Sequence, residues 1–247
     1  MKENEKLTTR EFWVEGYNDF VFSRHEGHGI ENFIKQNIPP NNNGNCLEIG
    51  SYPGPFLATF GDLGYTLNGI DFHPGNKEKL PEWLRSLNLK TGIFVTEDFF
   101  EFNTLQKFDV VASFGFIEHF HNYQEVITKH AALVNSNGYL IITTPNFKGW
   151  IQHRLHKTYD KTNLSFHNIE SMQPGIWAAQ LEKQGFDVIY KGFFGDFWFW
   201  RAPEKMNSFK KKTFWFVERL IPRIRKLLWF QSPAFSAYCG IVAKKNS

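Results

Sequence analysis

Cysteine is almost missing from this chain. Cys46 and Cys239 are the only two in 247 residues, too few for a disulfide framework or a cysteine-built zinc site. Both lie in apolar stretches and are expected as buried, inert thiols. No run of about 18 apolar residues occurs, so no segment is expected to span a membrane. The opening MKENEKLTTR has no apolar stretch of the kind a secretory leader needs, and a cytoplasmic location is expected. There is no internal repeat and no low-complexity tract.

Net charge is small, +3 overall, but unevenly placed. Residues 1–200 carry 17 Lys and Arg against 23 Asp and Glu, whereas residues 201–231 carry nine basic residues against Glu204 and Glu218. An acidic body with one basic segment argues against a nucleic-acid binder and for a local anionic partner. With 42% hydrophobic and 21% charged residues, and 27 Phe, the chain is globular. Its length favours one domain.

Turn residues gather at PPNNNGN, 39–45, which separates an N-terminal segment from the first strong strand. Short apolar runs then alternate with helical stretches. The runs are NCLEIG (45–50), TLNGID (66–71), GIFVTED (92–98), FDVVASF (108–114) and GYLIITT (138–144). The clearest helix is 122–134, where Val126, His130 and Val134 share a face and Asn137-Gly138 supplies a stop. This alternation predicts a doubly wound α/β fold, with ligands held beyond the carboxyl ends of the strands.

Those strand ends carry three signals. LEIGSYPGPF (47–56) places Gly50 and Gly54 in a turn that opens a helix, which suits an anion at a helix start or an ordinary tight turn. GIDFHPG (69–75) ends a strand on Asp71, and TEDFF (96–100) ends one on Asp98 with Phe99 beside it. Asp71 is suited to accept hydrogen bonds from two ribose hydroxyls, and Asp98 from an exocyclic amine. Each could equally be a turn or cap acid.

As a set, LEIGSYPGPF, GIDFHP, TEDFF, FDVVASFGFIEHF and NGYLIITTPN resemble the successive motifs of class I S-adenosyl-L-methionine-dependent methyltransferases, in the broad branch around the ubiquinone-pathway O-methyltransferases. The resemblance implies a Rossmann-like, mostly parallel seven-stranded sheet of order 3-2-1-4-5-7-6 with an antiparallel last strand. It implies that Glu48, Gly50, Ser51 and Gly54 hold the methionine part of the cofactor and that Asp71 and Phe72 meet the ribose. Asp98 and Phe99 would meet the adenine, and Ser113 and Phe114 would lie along the cofactor. Two positions depart from the family. Tyr52 stands where Gly is usual, which also breaks the G-x-G-x-x-G of a dinucleotide site. Gly115 replaces the first Glu of a Glu-x-x-Glu-His motif, so no metal is expected.

Methyl transfer to a hydroxyl needs alignment and a proton acceptor. The candidate bases are His119, with a structural alternative in which Glu118-His119 orients the next helix, and His167 in the loop 145–168. Residues 1–44 are expected as a helical lid, with Tyr17 over the cofactor and Arg24 on its carboxylate, or as plain aromatic packing. Residues 45–195 form the core, 196–235 an aromatic and basic insertion that Pro222 should kink or split, and 236–247 the closing strand. Within 197–233, Lys and Arg alternate with Trp, Phe and Leu. That pattern suits a membrane interface, a cap over the acceptor site or a dimer contact. The expected acceptor is a small-molecule, lipid or glycan intermediate. A carbon-methylating, cyclopropane-type lipid enzyme and a non-catalytic cofactor-binding protein are the alternatives.

Overall fold

The structure is a computed structural model that describes residues 6–17, 20–199, 208–227 and 230–247, with backbone alone at 222, 225 and 226. Seven strands form one sheet in the order β3-β2-β1-β4-β5-β7-β6. They are β1 (Asn45–Ile49), β2 (Thr66–Asp71), β3 (Thr91–Thr96), β4 (Phe108–Phe114), β5 (Val134–Pro145), β6 (Phe186–Phe197) and β7 (Ser236–Lys245). The first five are parallel, and β7 runs antiparallel between β5 and β6. Winding reverses between β1 and β4, so the loops after these two strands diverge and leave a crevice at their carboxyl ends.

Strand periodicity divides the core in two. On one face Leu47, Val111, Leu140 and Ile241 pack under α5 (Tyr123–Ala132) and α8 (Pro174–Lys183), with Trp177 fully buried. On the other, Cys46, Val110, Ile141 and Val242 meet α2 (Gly29–Asn37), α3 (Leu57–Asp62) and α4 (Gly75–Ser86). Both cysteines are free and buried. The remaining helices are α1 (Arg10–Gly16), α6 (Trp150–Tyr159), α7 (Lys161–Ser165) and α9 (Ser208–Leu227).

Two expectations need correction. Asn137-Gly138 does not stop a helix. α5 ends at Ala132, and Asn137, with φ +62°, lies inside β5 where the pairing with β4 jumps from Phe108–Val134 to Val110–Tyr139. The positive φ that suits a helix stop serves a bulge equally well. Nor does Pro222 split the insertion, since α9 runs through it as one helix of 20 residues. Trp200, Leu228 and Trp229 lie outside the described residues. No helix among those described is long and apolar enough to cross a membrane.

The crevice depends on close packing at β2. Ser51 Oγ donates to Asn76 Oδ1 at 2.7 Å, and Asn76 Nδ2 donates to the Val95 carbonyl at 2.8 Å, which ties the first loop to α4 and β3. This junction sits on Gly69, where a Cβ would lie 2.4 Å from Ser51 Oγ. Gly69→Ala is expected to lose about 1–3 kcal/mol of stability, read as a lower denaturant midpoint with unchanged slope.

Candidate active site

A cavity of about 630 Å³ opens at the carboxyl ends of β1, β2, β3 and β4. Glu48, Gly50, Gly54, Asp71, Phe72, Asp98, Phe99 and Phe114 line it, together with Tyr17 and His119. These come from four strand ends and the N-terminal segment, which the fold brings to one place.

The first loop is shaped by glycine. Gly50 has φ +72°, and a Cβ there would meet the Phe116 ring at 2.6 Å, so both backbone and packing demand Gly. Tyr52, the residue that departs from the family pattern, lies flat on His73 with ring centroids 3.9 Å apart, its ring edge against Gly75. Its ring is thus a buried part of the cavity wall.

Three acids differ in their surroundings. Glu48 is buried with Oε2 unpartnered, and burial, helped by nearby Asp71, pushes its carboxyl well up. Asp71 accepts the Tyr52 amide at 3.1 Å and the His73 amide at 2.8 Å. Burial raises its pKa to about 6, against the pull of the His73, Tyr52 and Phe72 amides. Asp98 accepts the Phe100 amide at 3.0 Å and pairs with Lys6. Burial alone would raise its carboxyl, but the Lys6 ammonium and the Phe100 amide hold it below the ordinary value.

The N-terminal segment roofs the cavity. Lys6 forms a bridge with Phe120, Leu7 N–H donates to the His119 carbonyl at 2.9 Å, and Arg10 donates to the Phe72 carbonyl at 3.1 Å. Trp13 meets the His119 ring edge-on at 4.9 Å, and Tyr17 meets Tyr52 at 6.2 Å. Of these, Lys6 and Arg10 had drawn no attention in the sequence. Nothing local marks a lysine whose partner is 92 residues away.

Four expected site residues are placed elsewhere. Ser51 is sealed in its bond to Asn76. Ser113 is fully buried and outside the lining, because it alternates with Phe114 across β4. Arg24 pairs with Asp62 at 2.6 Å. His167 stands behind His119, ring centroids 4.7 Å apart, and against Phe147.

His119 is neutral in this setting. Its Nδ1 lies 2.8 Å from the Phe166 carbonyl. Burial, then His167, pushes its pKa down to about 3, with the Phe166 and Gly115 carbonyls opposing. Burial takes His167 down to about 4. Glu118 is fully buried with both carboxyl oxygens unpartnered, and burial lifts it to about 8. Glu118, His119 and His167 present ligand atoms within 4.8 Å of one another, a grouping that the expectation of no metal had not foreseen.

A family model described as "Methyltransferase domain" matches residues 22–191. The chain belongs to this family. Its sheet order and strand-end motifs place the methyltransferase in the class I S-adenosylmethionine-dependent superfamily. No curated protein sequence matches it. Solved structures of similar fold include a putative methyltransferase from Bacillus halodurans, 13% identical, TM-score 0.59, covering 87% of this chain and 98% of that one. Another is an N-methyltransferase from Bradyrhizobium japonicum WM9 in complex with S-adenosyl-L-homocysteine, 12% identical, TM-score 0.54, covering 98% and 95%. A third is magnesium protoporphyrin IX methyltransferase from Synechocystis PCC 6803 with the same ligand bound, 12% identical, TM-score 0.52, covering 95% and 92%.

The pKa of Asp71 gives this methyltransferase a testable signature. A carboxyl whose folded pKa is raised contributes stability that is complete at acid pH and is lost as pH rises through about 6. Melting temperatures of wild type and Asp71→Asn should therefore diverge from about pH 4 to about pH 6, with wild type falling relative to the variant. A constant difference would mean that the carboxyl titrates as in the unfolded chain.

Proposed function

We propose that this methyltransferase O-methylates a small-molecule, lipid or glycan intermediate on the cytoplasmic side, with His119 as proton acceptor. The observation that carries the reading is an imidazole in the wall of the strand-end cavity, held with Nδ1 2.8 Å from the Phe166 carbonyl.

The residues present fit S-adenosylmethionine. Glu48 Oε2 is a buried oxygen without a partner on the cavity wall, suited to an ammonium. At Gly50 and Gly54 the first loop presents bare backbone to the cavity. Asp71 has both oxygens fixed by backbone amides and retains lone pairs for ribose hydroxyls. Asp98 would receive the adenine amine in the company of Lys6, and Phe99 supplies a flat apolar wall. The bound cofactor supplies an activated methyl group on sulfur.

The chain's own contribution is alignment, exclusion of water and proton transfer. In this reading His119 Nδ1 donates to the Phe166 carbonyl, which leaves Nε2 as the acceptor for a substrate hydroxyl. Burial keeps the ring uncharged at neutral pH. Trp13 on one side and His167 on the other limit its rotation, which makes His167 a positioning residue in this reading. Tyr52 lies in the cavity wall stacked on His73, which favours an open cofactor pocket over one blocked by its ring, the arrangement expected of a non-catalytic protein.

Titration calorimetry with S-adenosylhomocysteine tests the cofactor site. Asp71→Ala should weaken binding by roughly ten- to a hundredfold, the range of a hydrogen bond to a charged group. Absence of binding to the wild-type chain would defeat the assignment of residues to the cofactor. His119→Ala should slow methyl transfer by about 10²–10⁴-fold with little change in that affinity, and His167→Ala should act less. An unchanged rate in His119→Ala would remove it as the base.

A further inference from the structure

From the outer face of α9 we infer that this protein docks on anionic lipid bilayers, with α9 lying in the plane of the interface. The inference stands apart from the identity of the methyl acceptor, and vesicle binding and cofactor binding report on it separately.

α9 has two apolar faces, and the fold uses one. Phe214 and Ile221 are buried against Tyr159, Phe197, Phe199 and Phe235, with Val217 and Ile224 beside them and Ile151 and Leu155 of α6 across from them. At 3.6 residues per turn, Phe209, Phe216, Leu220 and Leu227 fall on a second stripe, well round the helix from the first. Phe209 is 76% exposed, Phe216 60% and Leu227 74%. The neighbouring stripe on that outer side carries Lys212, Arg219 and Arg223. Trp215 completes the face, 52% exposed, with the Arg219 guanidinium 4.0 Å from its ring centroid. α6, on which α9 packs, repeats this chemistry with Arg154 over an exposed Trp150.

Other uses of this face fit less well. No described residue of α9 lines the strand-end cavity, so the outer stripe is not the inner surface of a cap. A twofold contact between copies sets each patch against itself, and here it would bring the Lys212, Arg219 and Arg223 stripe against its own copy. Glu218 is the one acid in the helix and lies away from that stripe. A surface that is negative at headgroup level and apolar just beneath satisfies both stripes at once. The Phe and Leu side chains enter the acyl boundary, and the cations stay with the phosphates.

The test is co-sedimentation of the full chain with phosphatidylcholine vesicles, with or without one part in three phosphatidylglycerol. Binding should need the anionic lipid and should weaken as salt rises. Each basic residue near such a surface contributes roughly fivefold, so Lys212→Glu with Arg219→Glu should weaken binding by at least about tenfold. Phe209→Ser with Phe216→Ser should weaken it similarly, because both stripes are required. All four side chains lie outside the cavity, so affinity for S-adenosylhomocysteine and the melting curve should be unchanged in both variants and report correct folding. No binding to anionic vesicles, or binding that survives both double substitutions, overturns the proposal. So does a dimer seen by sedimentation velocity that the Phe209→Ser, Phe216→Ser chain loses while neither chain binds vesicles.

Discussion

Two backbone amides from different loops, Tyr52 N–H and His73 N–H, converge on the carboxylate of Asp71. Asp71 ends β2, and the two loops follow β1 and β2, so one half-buried side chain ties together the walls on that side of the cavity. The same two residues stack ring on ring, and Ser51, next to Tyr52, bonds Asn76. The acid is held by amides and no cation, which leaves burial the larger influence on its proton. A carboxylate fixed by amides from two loops thus shapes the pocket that it lines.

The imidazoles and acids around His119 show the same economy from the opposite direction. Glu118, His119 and His167 are packed by Phe147, Trp13 and the Phe166 carbonyl into a largely buried cluster. Burial disfavours charge on all three, so the acid is lifted and the bases are depressed. The group is therefore largely uncharged at neutral pH, although it is built from ionisable side chains. The same desolvation that keeps His119 uncharged also makes it a weak base, so a part for it in proton transfer rests on its place in the cavity wall.

Much of this was legible in the sequence. Apolar runs bounded by turn residues marked the strands, and the acids and glycines at their ends fell at one cavity because parallel sheets place their carboxyl ends together. What stayed illegible was direction and distant partnership. Ser51 and Ser113 lie in the right loop and strand, yet their side chains face the interior, since a one-residue step reverses the face. Arg24 found Asp62, and Asp98 found Lys6, through packing that no local pattern encodes. Asn137-Gly138 carried a genuine backbone signal, a positive φ, that a bulge used in place of a helix stop.

α9 raises the remaining question of balance between fold and function. Phe214 and Ile221 are buried against α6 and the end of β6, whereas the second apolar stripe stays exposed at Phe209, Phe216 and Leu227 and packs on nothing described within the chain. Exposed apolar side chains are normal when scattered. Here six of the thirteen large ones exposed among the described residues fall between Trp198 and Phe230, in the same stretch that concentrates the positive charge of an otherwise acidic chain. Apolar exposure disfavours solubility and clustered charge disfavours self-contact, so the two together are stable only against a partner that is anionic at its surface and apolar beneath. Since no described residue of α9 contributes to the cavity lining, such contact would set where the enzyme works without altering the strand-end cavity.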